Sequence, residues 1–176
     1  MIITRAWAMP NSKTFSIPPI KSIIEKYIST RGITIYPFVS IDPFSNGCRI
    51  ANITNDLDPD CDADYHLDAL DFLKLFEDES VDMVLYDPPY SPRQVSECYK
   101  KLGKTVNMQT TQASYWANHK NEIGRIVKPG GVVITCGWNS GGIGMKYGFS
   151  IEEILLVPHG GWHNDTIVTV ERKGGK

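Results

Sequence analysis

Val81-Asp82-Met83-Val84-Leu85-Tyr86-Asp87-Pro88-Pro89-Tyr90 decides the fold. Residues 81–86 are short, largely β-branched and apolar on both alternating faces, the pattern of a strand buried on two sides. A strand of that kind belongs to a parallel sheet covered by helices. It stops at Asp-Pro-Pro-Tyr. Neither proline has an N–H to give to a ladder, and each fixes its own φ, so the chain beyond Asp87 is stiff and extended. A carboxylate, a carbonyl and an aromatic ring are thereby held at the C-terminal edge of a sheet, where open α/β sheets place ligands.

Working outward, the upstream chain supplies the partners such a strand needs. Ile33–Ile41 reads as a first strand running into Asp42-Pro43-Phe44-Ser45-Asn46-Gly47, an acid at a strand end followed by a turn-forming loop. Ile50–Thr54 reads as a second strand, followed by Asn55-Asp56-Leu57-Asp58. A carboxylate at that place can accept ribose hydroxyls; Asp56 is the first choice and Asp58 the reserve, and a solvated acidic turn is the alternative. Tyr65-His66-Leu67 reads as a brief strand, and Asp68 as the cap of a helix through Leu70, Leu73 and Phe76. Before all of these, Met1–Thr14 reads as irregular. Pro18 and Pro19 open a helix whose Ile20, Ile23, Ile24, Tyr27 and Ile28 share one face.

Downstream, Ser91–Met108 carries Arg93, Lys100, Lys101 and Lys104 against the single acid Glu97 and reads as a solvated loop, with phosphate contact as the alternative. A helix through Tyr115, Trp116, His119, Ile123, Ile126 and Val127 ends at Lys128-Pro129-Gly130-Gly131. Val132–Cys136 is a strand, and Ile151–Val157 and Thr166–Val170 form a terminal pair. The turn between that pair contains Trp162 and His163. Alternation of strands and helices implies an α/β, mostly parallel sheet with helices on both faces, and the terminal pair adds one antiparallel strand.

The 176 residues fit one domain, and 41% hydrophobic and 22% charged content is ordinary for a globular chain. A net charge of −2 excludes a polycation, so binding to nucleic acid would rest on a local surface. Cys48, Cys61, Cys98 and Cys136 form no CxxC, and no metal site is expected; free thiols in a reducing compartment fit better. No apolar run is long enough for a membrane span.

Asp87-Pro88-Pro89-Tyr90 after a strand, an upstream Asp-Pro-Phe loop and a terminal β-pair together resemble the S-adenosylmethionine-dependent DNA adenine-N6 methyltransferases, in particular the small phage or prophage type. The resemblance covers roughly residues 12–171. It implies a Rossmann-like class I methyltransferase fold, S-adenosylmethionine as cofactor, DNA as partner (duplex with base flipping, or single-stranded), and a cytoplasmic setting in a bacterial cell or phage-infected host. It implies Asp87, Pro88, Pro89 and Tyr90 as the catalytic tetrad. Cofactor binding would fall to Phe15, Ile17, Pro19, Asp42, Phe44, Gly47, Asp56, Asp68 and Ala69. Arg93, Lys100 and Lys101 would meet phosphates, and Trp162 or His163 would cover the target base, with core packing as the alternative for Trp162.

The sequence departs from that family in three ways. Ser45-Asn46-Gly47 offers one glycine where the loop usually carries two. Eight residues separate Gly47 from Asp56, too few for a helical crossover, so the first crossover is expected to be a loop. Residues 1–176 read as one domain with no inserted target-recognition domain, which leaves specificity to loops, a partner subunit or a homodimer. The leading Asp favours adenine over cytosine N4; an RNA base, a protein glutamine or a non-catalytic nucleic-acid-binding subunit are the other readings. A dehydrogenase is disfavoured because no GxGxxG follows the first strand.

Overall fold

The computed structural model describes residues 1–30, 37–105 and 113–175. Among the described residues seven strands form one sheet: β1 (Ile2–Arg5), β2 (Ser40–Asp42), β3 (Ile53–Thr54), β4 (Val81–Tyr86), β5 (Val127–Gly137), β6 (Phe149–Val157) and β7 (Thr166–Lys173). Their spatial order is β1-β6-β7-β5-β4-β2-β3. Only β7 runs antiparallel to its neighbours, β5 and β6; all other pairs are parallel. The C-terminal ends of the six parallel strands therefore share one edge of the sheet. The fold is the mostly parallel, helix-covered α/β sheet with a terminal antiparallel pair that the alternation implies.

Strand β4 lies inside the sheet, between β5 and β2, and all six of its residues are buried. Met83 and Leu85 face a core shared with α1 (Pro18–Ser29), through Ile20, Ile23, Ile24 and Tyr27. Val84 and Tyr86 face the opposite core, with Phe72 and Leu73 of α2 (Ala69–Leu73) and Ile123 and Ile126 of α4 (Ala113–Ile126). The two-residue period of the strand thus meets the helical period of α1 on one side and of α4 on the other. Each of these large aliphatic side chains contributes about 1.5–3 kcal/mol by leaving water. No helix among the described residues is long and apolar enough to cross a membrane.

The first crossover is a loop. Strands β2 and β3 pair in parallel, and residues 43–52 join them without a helix. Side chains do the work a helix would do. Asn52 Oδ1 accepts from Ser40 N (3.1 Å) and Ser40 Oγ (2.7 Å). Asp42 Oδ1 accepts from Phe44 N at 2.9 Å. Asn46 and Gly47 both take positive φ, 45° and 69°, so the chain reverses there.

Several elements differ from their sequence-based reading. The stretch 1–14 is not irregular throughout: Ile2–Arg5 pairs with β6 as an edge strand, and all four residues are exposed, so no alternation announces it. Residues 91–105 are not a loop: Pro92–Lys101 is a helix, α3. Ser91 Oγ accepts from Gln94 N at 3.3 Å as its cap, and Pro92 occupies its first turn. Val95 and Tyr99 are its buried residues, and two apolar positions in a polar segment gave no stripe to read. Tyr65–Leu67 contributes one bridge, Asn55 to Tyr65, rather than a strand. Of the Ile33–Ile41 strand, residues 33–36 lie outside the described residues, and the ladder begins only at Ser40. Strand β5 starts at Val127, five residues early, and absorbs the Pro129-Gly130-Gly131 turn as a jump in register from Val81↔Val127 to Met83↔Val132.

Candidate active site

The four residues after β4 form one wall of a cleft of about 430 Å³ at the C-terminal edge of the sheet. That volume lies within the range of small-molecule sites. The Tyr90 hydroxyl donates to Asp87 Oδ1, and Thr14 lines the cleft beside them. Tyr90 N donates to Gln94 Oε1 at 2.6 Å, and Trp116 Nε1 donates to Pro89 O at 2.9 Å. The two-proline segment is therefore held from two directions, from α3 and from α4. Among the described residues, no donor is bonded to the Pro88 carbonyl.

Electrostatics follow from burial. Desolvation pushes the Asp87 carboxyl above the usual carboxylate range, against the pull of the Thr14 and Tyr90 hydroxyls. Burial, with the charge of Asp87 behind it, drives the Tyr90 phenol far up. Tyr90 is thus a fixed hydrogen-bond donor, not a base. Asp42, almost wholly buried behind the cleft, is pushed well above its ordinary range by desolvation; the Phe44 N–H works the other way, and the charges of Asp87 and Asp56 add to the rise.

The opposite wall carries the acids. Asp56 Oδ2 accepts from Asn46 N at 2.8 Å, and Asp56 Oδ1 from Asp58 N at 2.9 Å. Asp58 Oδ1 accepts from Asp60 N at 3.0 Å. Asp68 Oδ1 caps α2 by accepting from Leu70 N at 3.0 Å, while the Tyr99 hydroxyl donates to Oδ2. Each carboxylate oxygen keeps a second lone pair for a ligand hydroxyl or amine. Phe44, Leu57 and Leu67 give the same cleft an apolar lining.

The structure brings together Asp87, Pro88, Pro89, Tyr90, Phe44, Asp56, Asp68, Ala69 and Lys101, with Asp58, on the surface of one cleft. Asp42 stands behind that surface. Phe15 and Ile17 do not line it; both are core side chains. Pro19 lies half-buried in the first turn of α1, and Gly47 sits beside the cleft, its carbonyl accepting from Lys13 Nζ at 2.9 Å. Arg93 and Lys100 are exposed on α3, with Arg93 paired to Glu97 at 2.8 Å. Trp162 and His163 are exposed on the β6–β7 hairpin, outside the cleft lining, so core packing does not account for Trp162.

Sequence reasoning missed Thr14, Gln94, Tyr99 and Trp116. Trp116 reaches Pro89 from α4, Tyr99 reaches Asp68 across the cleft, and Thr14 lines the cleft from the turn before α1, while Gln94 stands only four residues past Tyr90. Trp138, half-exposed after β5, was missed too; its ring meets that of Tyr90 edge-on at 5.4 Å.

No protein-family profile matches the sequence, and no curated protein matches it. Solved structures do resemble the fold. TrmN from Thermus thermophilus aligns with a TM-score of 0.56 at 17% identity, over 89% of this chain and 49% of that one. The N-methyltransferase NodS from Bradyrhizobium japonicum, solved with S-adenosylhomocysteine, aligns at 0.54 and 10% identity over 94% of both chains. The 1,6-didemethyltoxoflavin-N1-methyltransferase of Burkholderia thailandensis aligns at 0.55 and 12% identity, over 89% and 77%. The chain spans about half the length of TrmN. At these identities the likeness is one of fold: a Rossmann-like α/β architecture that this chain shares with these methyltransferases.

Proposed function

We propose that the protein is an S-adenosylmethionine-dependent N-methyltransferase acting on the exocyclic N6 amino group of adenine in DNA. The observation that carries this reading is the Asp87–Tyr90 corner, braced from α3 and α4 and opening on a cleft whose other wall is acidic and apolar. Within residues 1–176 the proposal assigns one methyltransferase domain, with base selection left to loops or to a second subunit.

The residues present fit the cofactor. Asp56, with Asp58 beside it, would accept the ribose hydroxyls, and Phe44, Leu57, Leu67 and Ala69 would enclose the adenine ring. Asp68 would accept from the adenine amino group. Phe15, Ile17, Pro19, Asp42 and Gly47 would support that wall from behind rather than touch the ligand. When bound, S-adenosylmethionine supplies a methyl group on a sulfonium, which is already an excellent leaving group. The protein's share is therefore positioning and electrostatics, not prior removal of a proton.

An aromatic amine is a weak nucleophile because its lone pair is delocalised into the ring. Asp87 and the Pro88 carbonyl would accept its two N–H bonds, favouring a pyramidal nitrogen with the lone pair free to attack. Tyr90 keeps one Asp87 oxygen in place by its hydroxyl and leaves the other to the substrate. A duplex base must leave the stack to reach this edge, at roughly a few kcal/mol. Lys100 and Lys101, with Arg93, would meet phosphates from α3.

The test is transfer of tritium from labelled S-adenosylmethionine to duplex DNA, single-stranded DNA, RNA and protein. Label is expected in DNA, at adenine N6. Asp87→Ala should abolish transfer and leave S-adenosylhomocysteine binding nearly unchanged in calorimetry. Normal methylation by this variant, or label confined to RNA or protein, overturns the assignment.

A further inference from the structure

We propose that the C-terminal edge of the sheet continues past the target-base corner as a stacking platform for single-stranded DNA, formed by Trp138, Trp162 and Trp7. The inference deepens the proposed function, since its occupant is the strand that carries the target adenine.

Four aromatic residues follow four strands on the same edge. Tyr90 follows β4, Trp138 follows β5, Trp162 sits in the hairpin after β6, and Trp7 follows β1. The strand order β4-β5-β7-β6-β1 sets them out in that sequence across the sheet. At the usual strand separation, four intervals span roughly 19 Å. The rings begin in contact at the reactive corner, where Tyr90 and Trp138 lie 5.4 Å apart.

These rings contribute little to the core. Trp138 is 45% exposed, Trp7 63% and Trp162 fully exposed at 103%. Trp162 in particular presents its whole indole to water, so the fold gives no reason for it. The positions are nevertheless held. His159 is buried in the base of the hairpin; its Nδ1 lies 2.8 Å from Ala8 O and its Nε2 2.9 Å from Thr166 Oγ1. One imidazole thus fastens the segment bearing Trp7 to the hairpin bearing Trp162. The Trp7 indole also reaches the hairpin tip, where a Cβ on Gly160 would stand 3.6 Å from its Nε1.

Charge favours a stacked single strand over a duplex. Asp56, Asp58, Asp60, Asp62 and Asp64 follow β3 at the far end of the same edge, where Arg49 meets Asp62 and Asp64 and Lys101 meets Asp58, so acids outnumber bases there, and the chain is negative overall. A duplex laid along the whole edge would bring its phosphates against these acids. Unpaired bases instead offer faces to indole rings with little dependence on sequence. Such a platform supplies substrate grip from the described residues of the sheet edge itself.

The experiment is fluorescence anisotropy with a labelled adenine-containing oligonucleotide, presented as single-stranded DNA, as duplex DNA and as the RNA of the same sequence. It compares the full chain with the pair Trp7→Ala, Trp162→Ala and with the pair Trp7→Phe, Trp162→Phe. Single-stranded DNA should bind tightest. The alanine pair should lose about tenfold or more in affinity for it, and the phenylalanine pair should lose much less. Affinity for S-adenosylhomocysteine should be the same in all three proteins. Unchanged strand affinity in the alanine pair, equal losses in both pairs, or tighter binding of duplex or RNA overturns the platform. Failure of methyl transfer by the full chain, with strand binding still lost in the alanine pair, overturns the reaction and leaves the platform standing.

Discussion

Asp42 shows how one buried carboxyl links the site to the fold. Desolvation raises its pKa well above the ordinary value. The folded state therefore holds this proton more tightly than the unfolded chain does. Its contribution to stability is complete below the unfolded value and is lost as pH rises through the folded one. Asp42→Asn keeps an acceptor for Phe44 N and removes the titration. The variant should melt above the wild type at about pH 8, with the gap closing towards about pH 4. Thermal melts across that range check this; a variant less stable at the alkaline end contradicts it. That Asp42 and Asp87 stand at strand ends was legible, because strand-end acids and prolines announce themselves locally. Trp116 was not, because its bond to Pro89 depends on where α4 is packed.

Among the elements, α3 departs most from its sequence-based reading. Its inward residues, Val95 and Tyr99, are one helical turn apart and pack with Tyr115 of α4. Tyr99 then reaches across to Asp68, so the helix clamps the cleft wall. The outer face keeps the basic residues. Arg93 is paired with Glu97, and Lys101 lies 3.6 Å from Asp58, while Lys100 is exposed in the last turn. If this face meets phosphates, Lys100→Ala with Lys101→Ala should weaken single-stranded DNA binding. The slope of log affinity against log salt should flatten by up to about 1.4, two phosphates' share. Anisotropy titrations at several salt concentrations measure the slope, and an unaltered one places the contact elsewhere. The helix is polar overall and buries two residues, so it offers no run of apolar positions to read; its local signals were the Ser91 cap, Pro92 and the Arg93–Glu97 pair one turn apart.

At the scale of the molecule, the sheet's central strands and their two covering layers were readable from alternation alone. Ile24 of α1 is wholly buried against the β4 face. Ile24→Ala should cost about 2–5 kcal/mol of stability in urea unfolding. A loss under about 1 kcal/mol would mean that α1 is not a full partner of the core. Edge strand β1 was unreadable for the opposite reason: with every residue exposed, it has pairing but no pattern. The loop crossover was foreseen by counting residues, but how it closes was not, since that depends on Asn52 meeting Ser40 and Asp56 meeting Asn46. Its consequence is local. This wall of the cleft is tied to the sheet by side-chain hydrogen bonds at Ser40 and Asp42 rather than by a packed helix, so the loss of one side chain there can loosen the wall while the strands stay paired.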